Sequence, residues 1–321
     1  MKKVWCIALA VLGQMAVSAE AQEYPTRPVK VLTPLAAGSA VDVVARIVGE
    51  KMSSILGQQL YIENQPGAAG LIATRSGAAA DPDGYTILAV NDSLLTALPN
   101  MSADAGYDPL TDFAPITQMV RINWALVANP DFPAKTVGEF IEAAKAKPDS
   151  IDYASGGKGS PQHIAMELFM QLTGTQLRHI PYKGATPAIN DVVAGQVPVM
   201  FAALPTPLPF LESKQLQVLG TGAQKPLASV PGSQPVAEQG VPEYNYVTWA
   251  ALIAPAKTPP EVLKRLSDAA TAALADPGVR ERLTGLGYEV VGNTPDQFAV
   301  ELKKDFATMG EIIKKSGIKS N

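Results

Sequence analysis

The sequence predicts an α/β chain folded as two lobes. Short β-branched runs alternate with longer helical segments, which is the rhythm of parallel βαβ units. Glycine-rich turns lead from strand into helix in both halves of the chain. The alternation is also interrupted near Asn123 to Ala128 and again near Val247, as happens where a chain crosses between two bodies.

Taken in order, Val29-Lys30-Val31-Leu32 reads as a strand, followed by a turn and a helix from Val41 to about Leu56. Gln59 to Glu63 is the next strand. The turn Asn64-Gln65-Pro66-Gly67 then leads into a small-residue helix from Ala69 to Ala79, and Thr86 to Val90 is a third strand. Beyond the first crossing come a helix from Val137 to Lys147, a strand at Asp152-Tyr153-Ala154 and a helix from Gln162 to Leu172. A strand around Leu177 to Pro181, a helix from Pro187 to Ala194 and a strand from Val197 to Ala202 complete this part.

The chain reads extended again from Val247 to Ile253. Pro259-Pro260-Glu261 then opens an amphipathic helix, with Leu263, Leu266, Ala270 and Leu274 at helical spacing and Lys264, Arg265 and Asp268 on the opposite face. A last helix runs from Pro295 to about Lys315. Both C-terminal helices are expected on the first lobe, which gives residues 22–123 with 248–321 as one lobe and 124–247 as the other.

Residues 1–21 read as a secretory signal: Lys2 and Lys3, an apolar run from Val4 to Val17, and the small-x-small site Ala19-Glu20-Ala21. The run is shorter than the ~20 residues that span a bilayer. Cleavage near Ala21 leaves a chain without cysteine, because the single cysteine is Cys6. About three hundred residues remain, enough for two domains and a large core without disulfides. Their net charge of -5 argues against nucleic acid as a partner.

Two small-residue turns are the candidate binding elements. The first, Pro34 to Asp42, ends in Ala37-Gly38-Ser39 at a helix start, where free N–H groups and a hydroxyl can hold a carboxylate. Asp42 there complements the positive end of the helix. The second, Ser155-Gly156-Gly157-Lys158-Gly159-Ser160-Pro161, lies between strand and helix in the other half. It lacks the spacing of a phosphate-binding P-loop. Open α/β sheets bind ligands at such strand-to-helix turns, so two of them facing each other make a cleft. A third turn, Pro181 to Pro187, adds Tyr182 for apolar contact and Thr186 as a hydroxyl.

Catalytic patterns are missing. No G-x-S-x-G, H-E-x-x-H or G-x-G-x-x-G occurs, and the histidines are two, His163 and His179. Ser160 and His163 are the one pair that suggests a nucleophile and base, as in a periplasmic hydrolase, but no orienting acid stands nearby. No metal site and no cofactor is expected. Trp124 and Trp249 sit near the crossings and are read as hinge packing, while Arg46 and Arg75 are read as projecting toward solvent.

The sequence resembles the substrate-binding receptors of tripartite tricarboxylate transporters, the Bug-type periplasmic receptors. The resemblance covers the mature chain: Tyr24-Pro25-Thr26-Arg27-Pro28, the Pro34 to Asp42 turn with Val43-Val44-Ala45-Arg46, and Glu63-Asn64-Gln65-Pro66-Gly67-Ala68-Ala69-Gly70. It continues with Asp83-Gly84-Tyr85-Thr86, Ser155 to His163, Pro181-Tyr182-Lys183-Gly184 with Pro187-Ala188 and Asp191, and Gly195-Gln196-Val197.

The resemblance implies a two-lobed periplasmic-binding-protein (Venus-flytrap) fold, type II-like, located in the periplasm and closing on a small organic acid. Dicarboxylates, tricarboxylates, amino acids and aromatic acids all share the carboxylate that such a cleft would hold. Carried onto this chain, the first-lobe contacts fall on Ala37, Gly38, Ser39 and Asp42. Those of the second lobe fall on Ser155, Gly157, Ser160, Thr186, Pro187 and Asp191. Delivery to membrane permease subunits follows from the same resemblance, and a receptor docking on a sensor kinase is the alternative. The chain departs from the family pattern at Ser39-Ala40-Val41, where glycines and a threonine are common, and at Pro198 after Gly-Gln-Val. No cleft arginine is evident, which points to neutral donors for the ligand.

Overall fold

The computed structural model describes residues 24–67, 70–102 and 105–316. The expected signal segment, its cleavage site and the Ala69 start of the second helix lie outside the described residues.

The first lobe is built from β1 (Val29–Thr33), α1 (Ala40–Leu56), β2 (Leu60–Asn64), α2 (Leu71–Ala78) and β3 (Thr86–Asn91). β1 pairs in parallel with both β2 and β3. Two short helices follow, α3 (Asp92–Leu95) and α4 (Ala97–Met101). The chain then enters β4 (Phe113–Ala128), a 16-residue strand.

β4 changes partners along its length. From Phe113 to Asn123 it pairs antiparallel with β9 (Val247–Pro255), which also lies against β3. From Trp124 to Ala128 it pairs with β7 (Val199–Ala203) and β8 (Gln217–Thr221). One strand therefore belongs to both lobes, and the chain returns through Tyr246 into β9.

The second lobe contains α5 (Val137–Ala146), β5 (Asp152–Ser155), α6 (Pro161–Thr173), β6 (Arg178–Pro181), α7 (Ala185–Val193) and α8 (Leu208–Glu212) besides β7 and β8. The C-terminal part adds α9 (Pro260–Ala275), α10 (Pro277–Gly285), β10 (Tyr288–Val290) and α11 (Pro295–Ser316) to the chain. The strand path is β2-β1-β3-β9-β4-β7-β5-β6, with β8 and β10 also on β4.

Alternation of side chains explains how each sheet buries both faces. In β3, Ile87 and Ala89 enter one core with Val44, Val48 and Met52 of α1 and Leu266 and Ala270 of α9. Leu88 and Val90 enter another with Leu94, Trp249, Phe298 and Leu302. The second lobe repeats the arrangement. Phe140, Tyr153, Phe169, Phe201 and Tyr244 fill one face, and Ala188, Ile189, Val192 and Met200 the other.

α9 packs on α1, as the amphipathic pattern predicts for a first-lobe helix. α11 differs from expectation. Phe298 and Leu302 pack in the first lobe, but Met309 and Ile313, nearer its end, join the second-lobe core beside α6. A helix with one apolar stripe can cover whatever apolar surface lies along its axis, and here that surface spans both lobes.

The tryptophans pack at the crossings and also make polar contacts. The Trp124 indole N–H donates to Thr248 Oγ1 at 2.9 Å and that of Trp249 to Asp305 Oδ2 at 2.9 Å. Arg75 departs from the expected solvent position, because its Nε donates to the Ala105 carbonyl at 2.6 Å.

Candidate functional site

Two adjoining cavities lie between the lobes. The inner one, about 610 Å³, reaches the crossing residues Ile122, Trp124 and Thr248. The outer one, about 750 Å³, opens beside Pro66, Gly67 and Lys158. They share Leu35, Ala36 and Asn91 on one wall and Pro161, Lys183 and Gly184 on the other.

The first-lobe wall is the β1–α1 turn. Gly38 adopts φ +77°, which a side-chain-bearing residue rarely adopts, and so turns the chain into the helix. Ser39 caps α1 by accepting the Asp42 N–H at 3.3 Å. Ala37, Gly38, Ser39, Ala40 and Val41 all line the inner cavity. As the first residues of α1, Ala40 and Val41 carry N–H groups with no acceptor inside the helix, which leaves them available to an anion.

Asp42 stands behind this wall and does not line either cavity. Its side chain is 3% exposed. Oδ2 accepts from Gly38 N–H at 2.9 Å and Arg46 Nε at 3.0 Å, and Oδ1 accepts from Asn64 Nδ2 at 2.9 Å. Burial raises its pKa, but these hydrogen bonds and the Arg46 charge outweigh that and hold it below the ordinary carboxylate value. Arg46 is thus bound to Asp42 and Asn64, with about half its side chain still exposed.

The second-lobe wall comes from two helix starts. Ser160 lines the outer cavity and caps α6, accepting the His163 N–H at 3.4 Å. α7 begins after Gly184 with no side-chain cap, and Ala185, Thr186 and Pro187 line the inner cavity. The start of α7, more than the glycine-rich turn before α6, therefore faces the start of α1.

Ser155, Gly157 and Asp191 hold these turns from behind. Ser155 is fully buried, accepts from Gly157 N–H at 3.0 Å and shares a 2.5 Å hydrogen bond with His179 Nε2. Asp191 accepts the Tyr182 hydroxyl at 2.6 Å, bracing the turn that carries Lys183. None of the three lines the cavities, so their part is to shape the loops.

His163 is not arranged as a base for Ser160. Its Nδ1 accepts the Gly159 N–H at 2.9 Å, its Nε2 lies 3.4 Å from Glu167 Oε1, and its ring stacks on His179 at 4.2 Å. Among the described residues no cluster of three His, Cys, Asp or Glu side chains could hold a metal ion, and no helix is long and apolar enough to cross a membrane.

Several lining residues escaped the sequence reading. Asn91, Asp92, Gln162, Thr206 and Thr248 bring polar groups to the inner cavity, and Lys183 brings a cation where neutral donors were expected. Lys183 stands within the Tyr182-Lys183-Gly184 segment, so a signal for it was present. Asp92 and Thr248 sit at strand ends with no local pattern to mark them.

The family model described as "Tripartite tricarboxylate transporter family receptor" matches residues 44–318. The chain belongs to this family. It is 30% identical to Protein BugT of Bordetella pertussis (strain Tohama I) over 98% of this chain and 96% of that protein. The solved periplasmic binding protein BugD superposes with a TM-score of 0.83 at 33% identity, covering 93% of this chain and 100% of BugD. R. palustris Rpa4515, solved with adipate, gives a TM-score of 0.85 at 29% identity over 92% of this chain and 99% of that one. Members of the tripartite tricarboxylate receptor family are periplasmic substrate-binding receptors, and this chain has their two-lobed, type II-like Venus-flytrap fold.

Proposed function

We propose that the protein is a periplasmic receptor that closes its two lobes on a small carboxylate and delivers it to the permease subunits of a tripartite tricarboxylate-type transporter, after loss of residues 1–21. The observation that carries this reading is the pair of helix starts, α1 and α7, on opposite walls of one cavity of about 610 Å³. Each offers N–H groups at the positive end of a helix, and together they suit one carboxylate without full charge compensation.

In this reading Ala37, Gly38 and Ser39 contact the ligand from the first lobe and Thr186 and Pro187 from the second, with Ser160 at the mouth. Asp42, Ser155, Gly157 and Asp191 keep the turns in shape. The protein performs no chemistry on its cargo. The family supports this, and so does the Ser160 hydroxyl, which serves as a helix cap.

The test is a thermal-shift screen of the chain from Gln22 onward against small organic acids. A ligand that binds only the folded state adds about 2.7 kcal/mol of stability at a hundredfold excess over its Kd. A saturable rise in Tm with unchanged ligand on recovery supports the receptor. Recovery of a converted compound would instead mean an enzyme.

A further inference from the structure

Two acceptors on residues at the wall of the inner cavity are left unmet by the protein. Asn91 Oδ1 and Asp92 Oδ1 are buried and have no hydrogen-bond partner. They belong to consecutive residues at the end of β3 and the start of α3, and both residues line the inner cavity. Asp92 is only 5% exposed. Buried polar atoms are nearly always paired, so two adjacent exceptions at a cavity wall mark a place where something outside the chain supplies donors.

The surroundings sharpen what that something is. Asp305 of α11 adds a like charge near Asp92, and the buried Tyr246 lies close by at the return crossing. Lys183 lines the same cavity from the second lobe but does not contribute to the charge balance of Asp92 in this structure. Burial first, and then Asp305, push the Asp92 carboxyl up to about 8, against the nearby N–H groups of Ser93 and Asp92 itself. A carboxylate held this way lacks a cation.

From these two unmet oxygens we infer that the cleft reads a cationic nitrogen on its cargo through Asn91 and Asp92, making the cargo an amino carboxylate and not a dicarboxylate. An ammonium carries three N–H donors, enough for both oxygens, and replaces the missing positive charge. A second carboxylate at this point would offer Asn91 Oδ1 no donor, and would meet like charge once Asp92 is ionised. The ligand's own carboxylate goes to the helix starts of α1 and α7. The inference rests on the receptor reading and names its substrate class.

Isothermal titration calorimetry on the chain from Gln22 tests it. The probes are glutamate, alanine, 4-aminobutanoate and 6-aminohexanoate, the deamino counterpart of each, and the dicarboxylates malate and adipate. At least one amino carboxylate should bind a hundredfold or more tighter than its deamino counterpart. Asp92→Asn should weaken that binding at least tenfold and so narrow the preference for the amino carboxylate over its deamino counterpart.

Because folding of the variant is not assured, the unaltered chain gives a second readout. Affinity for the amino carboxylate should rise between pH 6 and pH 8, with proton release on binding, since Asp92 must ionise to meet the ammonium. Affinity that is flat or falling over that range overturns the inference. Tightest binding by a dicarboxylate without an amino group, such as malate or adipate, also overturns it and leaves the receptor reading standing. Binding by no probe to a cooperatively folded chain overturns both.

Discussion

The Trp124 indole donates a hydrogen bond to Thr248 Oγ1 at 2.9 Å, so the two strands that cross between the lobes are tied by their side chains at the point of crossing. Both residues are nearly fully buried, and Tyr246 packs edge-on against the indole at 5.4 Å. Replacing Thr248 by Val keeps the shape and strands the indole N–H. The expected cost is about 1–3 kcal/mol, seen as a lower urea midpoint with an unchanged slope. An unchanged midpoint would mean that the N–H finds another acceptor.

Asp42 is expected to act on binding through the Gly38 turn. Asp42→Asn removes the charge beside Arg46 and turns one of the two oxygens, Oδ2 that accepts from Gly38 and Arg46 or Oδ1 that accepts from Asn64, into a donor, and should lower both stability and ligand affinity, the affinity about tenfold. Because its folded pKa is depressed, Asp42 stabilises the protein above the ordinary carboxylate range. That contribution is lost as pH falls through the lowered folded value. Urea melts of the unaltered protein and the variant should converge in strong acid. A gap that persists there would assign the effect to packing.

His179 makes the second lobe sensitive to mild acid. Burial, and then the neighbouring His163, lower it from the ordinary 6.5 to about 4, opposed by Glu167. Between these values the unfolded chain binds a proton that the folded chain does not, so stability falls as pH drops from 6.5 toward 4. One such group contributes a slope of at most about 1.4 kcal/mol per pH unit. His179→Gln should flatten that part of the profile. If the slope survives, another group carries it.

At Gly38 the cost of a side chain is conformational. No atom lies within 4 Å of a Cβ added there, yet φ is +77°. Gly38→Ala should therefore lose about 1–2 kcal/mol through backbone strain alone. Ligand affinity should fall with it, since the turn presents the α1 N–H groups. A variant with unaltered urea midpoint would show that the turn relaxes freely.

Closure around a ligand should slow amide exchange at Ala40–Val41 and at Ala185–Thr186 together. Hydrogen exchange by mass spectrometry resolves both segments. Protection confined to one lobe would count against a two-sided clamp.

Most of the fold was legible because it depends on local pattern. The short apolar runs in Val29–Thr33 and Thr86–Asn91, the helix starts beside Ser39 and Ser160 and the Pro260 helix start all announce themselves within a few residues. The length of β4 did not, since Pro115 and the polar Gln118 and Asn123 interrupt the apolar run, and pairing with β9 absorbs the first two by register shifts at Pro115/Thr117 and Gln118/Val120. Nor could amphipathicity say which lobe α11 covers. In the site, the turns were readable from their glycines, whereas Asp92 gains meaning only when α3 carries it to the cavity wall.

α11 touches both halves of the molecule, and at 22 residues it is a strut of roughly 33 Å. Any relative rotation of the halves must either slide Met309 and Ile313 across α6 or carry the end of the helix along. The carboxy-terminal turns thereby become part of the mechanical resistance to shutting. Shortening or tagging that end would retune how readily the empty molecule shuts, without altering any group that meets the cargo.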